Sequence, residues 1–183
     1  LSRAAQHPDL LVPLAGVLVD QPRLSLQGLA KAVGVSKATL YRVCRTRDEL
    51  TEQLLARALA ASRAILEEAD LAGAPPLEAL RCMTRGSLRH SELAIFLMHH
   101  SNNAKARPEE IARWEAELDA FFLRGQREKV FRVDVPAPTL TDLWSRQLIG
   151  LLHAERRGRI ARADLAKLIE TSFLRGVSGG NPR

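Results

Sequence analysis

SLQGLAKAVGVSKATLYRVCRTRDEL, residues Ser25–Leu50, is the stretch on which the reading of this chain turns. Ser25 and Ser36 each precede a short run with helical apolar spacing. A serine in that place caps a helix by accepting an N–H from its first turn. The spacing predicts helices over 25–32 and 36–43. Gly34 lies between them, where a tight turn between steeply crossed helices needs a positive φ. Ala30 supplies a small side chain at the close approach, and Leu26, Leu29, Val33, Val35 and Leu40 are spaced to lock the corner. Two short helices joined this way make a helix-turn-helix, whose second helix shows a polar face to the major groove of DNA. Here that face carries Lys37, Ala38, Thr39, Tyr41 and Arg42.

The charge pattern around this segment agrees. From Gln21 to Arg47 there is no Asp or Glu, while Arg23, Lys31, Lys37, Arg42, Arg45 and Arg47 are all basic. A surface that approaches phosphates excludes acids in this way. The bland alternative is a solvated basic face on an ordinary helical domain. The whole chain leans the same way, with a formal net charge of +6. Of its 27 basic residues five are lysines (Lys31, Lys37, Lys105, Lys129, Lys167), leaving 22 arginines. Arginine offers a bidentate fork to guanine and to phosphate, although a GC-rich genome gives the same bias.

Working outward, almost every other segment of the 183 residues reads as helix, and period-2 alternation is scarce. Helices are predicted over about 7–19, from Thr46 to about Ala69, and near 77–89, 92–102, 109–132, 141–157 and 162–176. Thr46 and Glu49 form the T-x-x-E pattern of a capping box, and Ser91 and Thr139 are candidate caps. Leu50, Leu54, Ala58, Ala61 and Ile65 give the fourth helix an apolar stripe. Asp70–Pro76 is the clearest internal break. The expected fold is therefore all-α with about nine helices. A DNA-binding domain is assigned to 1–49 and a helical regulatory and dimerisation domain to 50–183, with the fourth helix (47–69) linking them.

Several function classes are disfavoured. The longest apolar run, Leu10–Val19, is broken by Pro13 and Gly16 and is too short to span a bilayer. No charged head followed by an apolar run and a cleavage site opens the chain, so no signal peptide is expected. Cys44 and Cys82 form neither a disulfide framework nor a metal spacing, which suits a reducing cytoplasm. A phosphate loop and H-E-x-x-H are missing, so no enzyme and no cofactor are expected. His99-His100 invites a metal reading, but neighbouring helical residues point about 100° apart and no i+4 partner follows. The rival that remains is a protein-interaction module whose helix-turn-helix no longer reads DNA.

The segment resembles the N-terminal domain of the TetR family of bacterial regulators. The residues that carry the likeness are Leu29, Ala30, Val33, Gly34, Val35, Ser36, Lys37, Ala38, Thr39, Leu40 and Tyr41, then Thr46, Arg47, Asp48 and Leu50. Three departures stand out. Cys44 replaces an aromatic, the connection before the second helix is short with Pro22 where glycine is common, and the first helix lacks basic residues at its start. The resemblance implies a cytoplasmic homodimer that binds double-stranded DNA at a palindromic operator and represses transcription until a small-molecule effector releases it. It implies DNA contacts from Ser36, Lys37, Ala38, Thr39, Tyr41, Arg42, Arg45 and Arg47, with Lys37 and Arg42 on base edges and Arg47 on phosphate. It implies a ligand pocket lined from Met83, Ser87, Phe96, His99, His100, Trp114, Leu118, Phe121 and Phe122. Its last two helices would pair with their symmetry mates through Leu140, Leu143, Trp144, Leu148, Leu151, Leu165, Leu168, Ile169 and Phe173.

Overall fold

The computed structural model describes residues 8–101 and 107–177, and all of their regular structure is helical apart from one isolated bridge at Phe131. The order is α1 (Pro8–Asp20), α2 (Leu26–Ala32), α3 (Lys37–Val43), α4 (Arg47–Ala69), α5 (Pro76–Arg89), α6 (Ser91–Ser101), α7 (Pro108–Arg127), α8 (Ala137–Arg156) and α9 (Arg162–Val177). The expected outer bounds at His7 and Asn102, and the glycine-rich end beyond Val177, lie outside the described residues.

Two units divide the chain. The first comprises residues up to Ala61 together with His90–Ala106, and the second Ser62–Arg89 together with residues from Arg107 onward. This differs from a boundary at residue 49, because α6 packs on α1 and so joins the N-terminal unit. Leu11, Leu14, Ala15 and Leu18 of α1 and Leu93, Ile95, Phe96 and Leu97 of α6 are buried. In the second unit α7 packs on α8, α8 on α9, and α5 on both α7 and α9. Phe121, Phe122, Phe131 and Phe173 form a ring cluster there, with Phe122 centroids 5.4 Å from Phe131 and 5.9 Å from Phe173. The stripe Leu50, Leu54, Ala58, Ala61 and Ile65 along α4 is buried throughout its length.

Helix ends explain where the sequence-based bounds shift. α7 stops at Arg127, short of Arg132, because Lys129 takes a left-handed φ of 62°. The N–H of Val130 then bonds the carbonyl of Gly125 (2.9 Å) and that of Lys129 bonds Gln126 (3.0 Å). Phe131 folds back over Gly125, and Gln126 ties the reversed chain by donating to the Arg132 and Val135 carbonyls. α8 starts earlier than expected, at Ala137, with Pro136 at its N-cap; Thr139 is inside the helix and caps nothing. Ser91 is likewise the first residue of α6, with its hydroxyl on the Glu92 carboxylate.

Candidate nucleic-acid interface

The α2-turn-α3 corner is built by local hydrogen bonds. Ser25 Oγ accepts the Gly28 N–H (3.1 Å), and Ser36 Oγ accepts the Thr39 N–H (3.0 Å), so both serines cap their helices. At the end of α2 the Val35 N–H reaches the Ala30 carbonyl (2.9 Å) and the Gly34 N–H reaches Lys31 (3.2 Å). This six-to-one and five-to-two pair requires a left-handed residue between, and Gly34 has φ +73°. A side chain at Gly34 would meet nothing within 4 Å, so the glycine is needed for its backbone and not for space. Leu29, Ala30, Leu40 and Val43 are buried beneath the corner, while Leu26, Val33 and Val35 are half-buried.

With Leu40 and Val43 turned inward, the rest of α3 faces out. Ser36, Lys37, Ala38, Tyr41, Arg42 and Arg45 are exposed, and Thr39 is half-buried. Tyr41 is 41% exposed, a large ring left in solvent with the Lys37 ammonium 5.3 Å from its centroid. Ser36 Oγ and Thr39 Oγ1 share a hydrogen bond of 2.9 Å. Arg42 Nε lies 3.4 Å from the Ala38 carbonyl, a long contact, and the residue is exposed. Seven of the eight residues expected to meet DNA thus lie together on or beside this face.

Arg47 is placed differently. It is half-buried, and its two Nη groups donate to the carbonyls of Leu24 and Pro22 in the α1–α2 connection. The phosphate contact expected of it is therefore not where the free protein directs its fork. The first turn of α4 also grips α3. Thr46 Oγ1 accepts the Glu49 N–H (3.1 Å), as the capping pattern predicts. The Glu49 carboxylate, however, takes the Arg45 N–H (2.7 Å), one residue further back than a capping box would have it. Gln53, which the sequence reading did not single out, donates to the Val43 carbonyl at 2.9 Å and leaves its own Oε1 buried without a partner. An isolated glutamine on a helix carries no signal for this; only the crossing of α3 and α4 reveals it.

Cys44, where the family resemblance leads one to expect an aromatic, is 1% exposed and ends α3 with its N–H on the Leu40 carbonyl (2.9 Å). Burial, with the Glu49 charge adding to it, pushes its thiol up from 9.0 to about 11, so it is a packing residue and not a nucleophile.

The expected ligand-pocket residues do not assemble into one described cavity. Phe96, His99 and His100 belong to the unit of α1 and α6; Met83, Ser87, Trp114, Leu118, Phe121 and Phe122 belong to the other. Met83, Ser87, Phe96, Leu118, Phe121 and Phe122 are buried as core. His100 stacks on Phe96 (centroids 4.0 Å apart) with a ring nitrogen 3.0 Å from the Phe96 carbonyl. A groove of about 480 Å³ lies between the end of α4, the loop after it, and α7. Phe121 lines it, with Leu66, Leu71 and Ala120, but none of the other expected residues does. Two polar atoms in this second unit, Trp114 Nε1 and Ser145 Oγ, are buried without a hydrogen-bond partner. No group of three potential metal ligands occurs among the described residues.

Most of the expected dimer surface lies inside the single chain. Leu140, Trp144, Leu148, Leu165, Ile169 and Phe173 are at most 4% exposed within the single chain, so they have no surface left to bury against a partner. They point inward because α8 and α9 pack on each other and α9 also packs on α5. Leu143 (48% exposed) and Leu168 (39%) remain outside, and Leu151 is half-buried.

A capped, glycine-turned helix pair with an acid-free basic face, carried on an all-helical chain, defines a helix-turn-helix DNA-binding protein. Comparison with known proteins agrees. The chain is 43% identical over 177 residues to the HTH-type transcriptional regulator NfxB of Pseudomonas aeruginosa, covering 94% of this chain and 95% of that one. It is 26% identical over 168 residues to the HTH-type transcriptional repressor LfrR of Mycolicibacterium smegmatis, covering 88% and 84%. The solved structure of the TetR-family regulator PfmR from Thermus thermophilus superposes with a TM-score of 0.69 at 26% identity, covering 96% of this chain and all of that one. No family model matches the chain. The chain belongs to the TetR family and is a DNA-binding transcriptional regulator.

Proposed function

We propose that this regulator is a cytoplasmic repressor that binds a palindromic operator as a homodimer, and that a small molecule held in its second unit releases it. The observation that carries the reading is the outer face of α3. Ser36, Lys37, Ala38, Tyr41 and Arg42 are exposed, in a stretch from Gln21 to Arg47 without a single carboxylate. Lys37 and Arg42 are assigned to base edges, Ser36, Thr39 and Arg45 to phosphates, and Tyr41 to phosphate or a thymine methyl. Ala38 lets the helix approach the groove closely.

The dimer face is assigned to the side of α8 and α9 that the single chain leaves open. It holds Leu143, Leu151 and Leu168, with Gly150 between, where a Cβ would meet nothing within 4 Å. Support for an effector comes from the unpartnered Trp114 Nε1 and Ser145 Oγ, since a buried polar atom without a bond costs about 1–3 kcal/mol and a ligand that supplies one recovers it. The LfrR relative has been solved in complex with proflavine. α4 runs unbroken from Arg47 to Ala69 and supplies residues to both units. It is the element through which an effector would alter the spacing of two α3 helices.

Selection of bound sequences from random duplex DNA tests the reading, with Arg42→Ala alongside and at two salt concentrations. A palindromic sequence bound by a dimer, with affinity that falls as salt rises and is lost in Arg42→Ala, supports it. Weak binding with no enriched sequence would instead favour an interaction module.

A further inference from the structure

A positive side chain at the first position of α4 is electrostatically out of place. Helix N-termini carry partial positive charge and favour acids, as Asp48 and Glu49 in the same turn illustrate. Arg47 nonetheless stands there, and its fork is spent on two carbonyls two residues apart, Pro22 and Leu24. Its backbone is held as well, by the Thr51 hydroxyl donating to its carbonyl at 3.0 Å. The link that receives the fork, Gln21–Ser25, is short: the Leu24 N–H bonds the Gln21 carbonyl (3.2 Å) within it, and its two ends are tied to α1 by the Gln21 N–H on Val17 (2.8 Å) and to α2 through Ser25. That link leads directly into Ser25, the cap of α2. Six residues further along α4, Gln53 holds the carbonyl of Val43, the last residue of α3.

We infer that Arg47 is a positioning residue: its guanidinium clamps the α1–α2 link onto α4, and with Gln53 it grips the helix-turn-helix at both ends, presetting the angle of α3 before DNA arrives. The two-carbonyl geometry explains why arginine stands there, since a lysine's single ammonium is not a planar fork and does not match two fixed acceptors. A residue whose task was only to neutralise a phosphate would need no such fork in the free protein.

The inference rests on the DNA-binding reading, and two experiments separate its failure from the failure of that reading. The first uses the wild-type protein without DNA. Nitrogen-15 NMR of the arginine side chains should show, beside the multiply bonded Arg124 and Arg132, a further guanidinium with slowed Nη rotation, assigned to Arg47 by its absence in Arg47→Lys, and little changed when the selected duplex is added. Free rotation that stops only on DNA addition would overturn the clamp. The second compares Arg47→Lys and Arg47→Ala on the selected duplex and on random duplex over a salt series. The clamp predicts that both variants lose about tenfold or more in specific affinity, with random-duplex binding and the slope of log K against log salt held near wild type. If Arg47→Lys bound like wild type while Arg47→Ala lowered the salt slope by about one, Arg47 would be a phosphate contact and the inference wrong.

Discussion

Ser36 has two tasks that a single pair of substitutions can separate. It caps α3 through the 3.0 Å bond from the Thr39 N–H, and its hydroxyl stands at the end of the face assigned to DNA. α3 has seven residues, so its one side-chain cap holds a large share of the helix. Removing the cap with Ser36→Ala should cost about 1 kcal/mol of stability. Ser36→Asp keeps a cap of equal quality and also suits the helix dipole, so its stability should match or slightly exceed wild type. On DNA the order reverses. Ser36→Asp places a carboxylate in the acid-free stretch; at roughly 6 Å from a phosphate and an effective dielectric of about 40, the repulsion is about 1.4 kcal/mol for each copy of α3. That is about tenfold per copy, or about a hundredfold for an operator engaged by two copies. Thermal melting and fluorescence anisotropy with a selected duplex would read the two effects. A Ser36→Asp protein that is as stable as wild type and binds DNA equally well would refute the placement of α3 against phosphates. One that melts like Ser36→Ala would refute the capping argument.

In the second unit, a Cβ on Gly125 would lie 2.3 Å from a ring carbon of Phe131, which is fully buried in the aromatic cluster; Gly125→Ala should therefore destabilise by about 1–3 kcal/mol in chemical denaturation. Cys44, with its thiol raised to about 11, should resist alkylation at pH 8 in the native protein, while the half-buried Cys82 reacts first, as mass spectrometry would show. Because the folded state holds that proton more tightly than the unfolded one, the contribution of Cys44 to stability is complete below pH 9.0 and falls as pH rises toward about 11, which melting at stepped pH would detect. Leu143→Glu combined with Leu168→Glu changes two exposed side chains and should leave the chain folded but monomeric in analytical ultracentrifugation, with operator affinity lost. A double variant that stays dimeric would move the interface elsewhere.

Local chemistry made the helix-turn-helix legible. Caps at Ser25, Ser36 and Thr46, the left-handed turn at Gly34 and the missing acids between Gln21 and Arg47 all act within a few residues of where they are written. The sequence by itself thus determined the helix-turn-helix, the outward set on α3 and the all-helical character of the rest. What only the tertiary structure decided depends on which helices meet. Six of the nine residues expected at a dimer surface are consumed by α5, α8 and α9 packing within one chain, because an apolar stripe states that a face is buried but not what buries it. The expected pocket residues divide between two units because α6 leaves its sequence neighbours to pack on α1. Arg47 reads as one more basic residue beside a motif until the fold brings the carbonyls of Pro22 and Leu24 to it. A guanidinium's charge is visible in sequence, whereas its hydrogen-bond partners are set by chain crossings more than twenty residues apart.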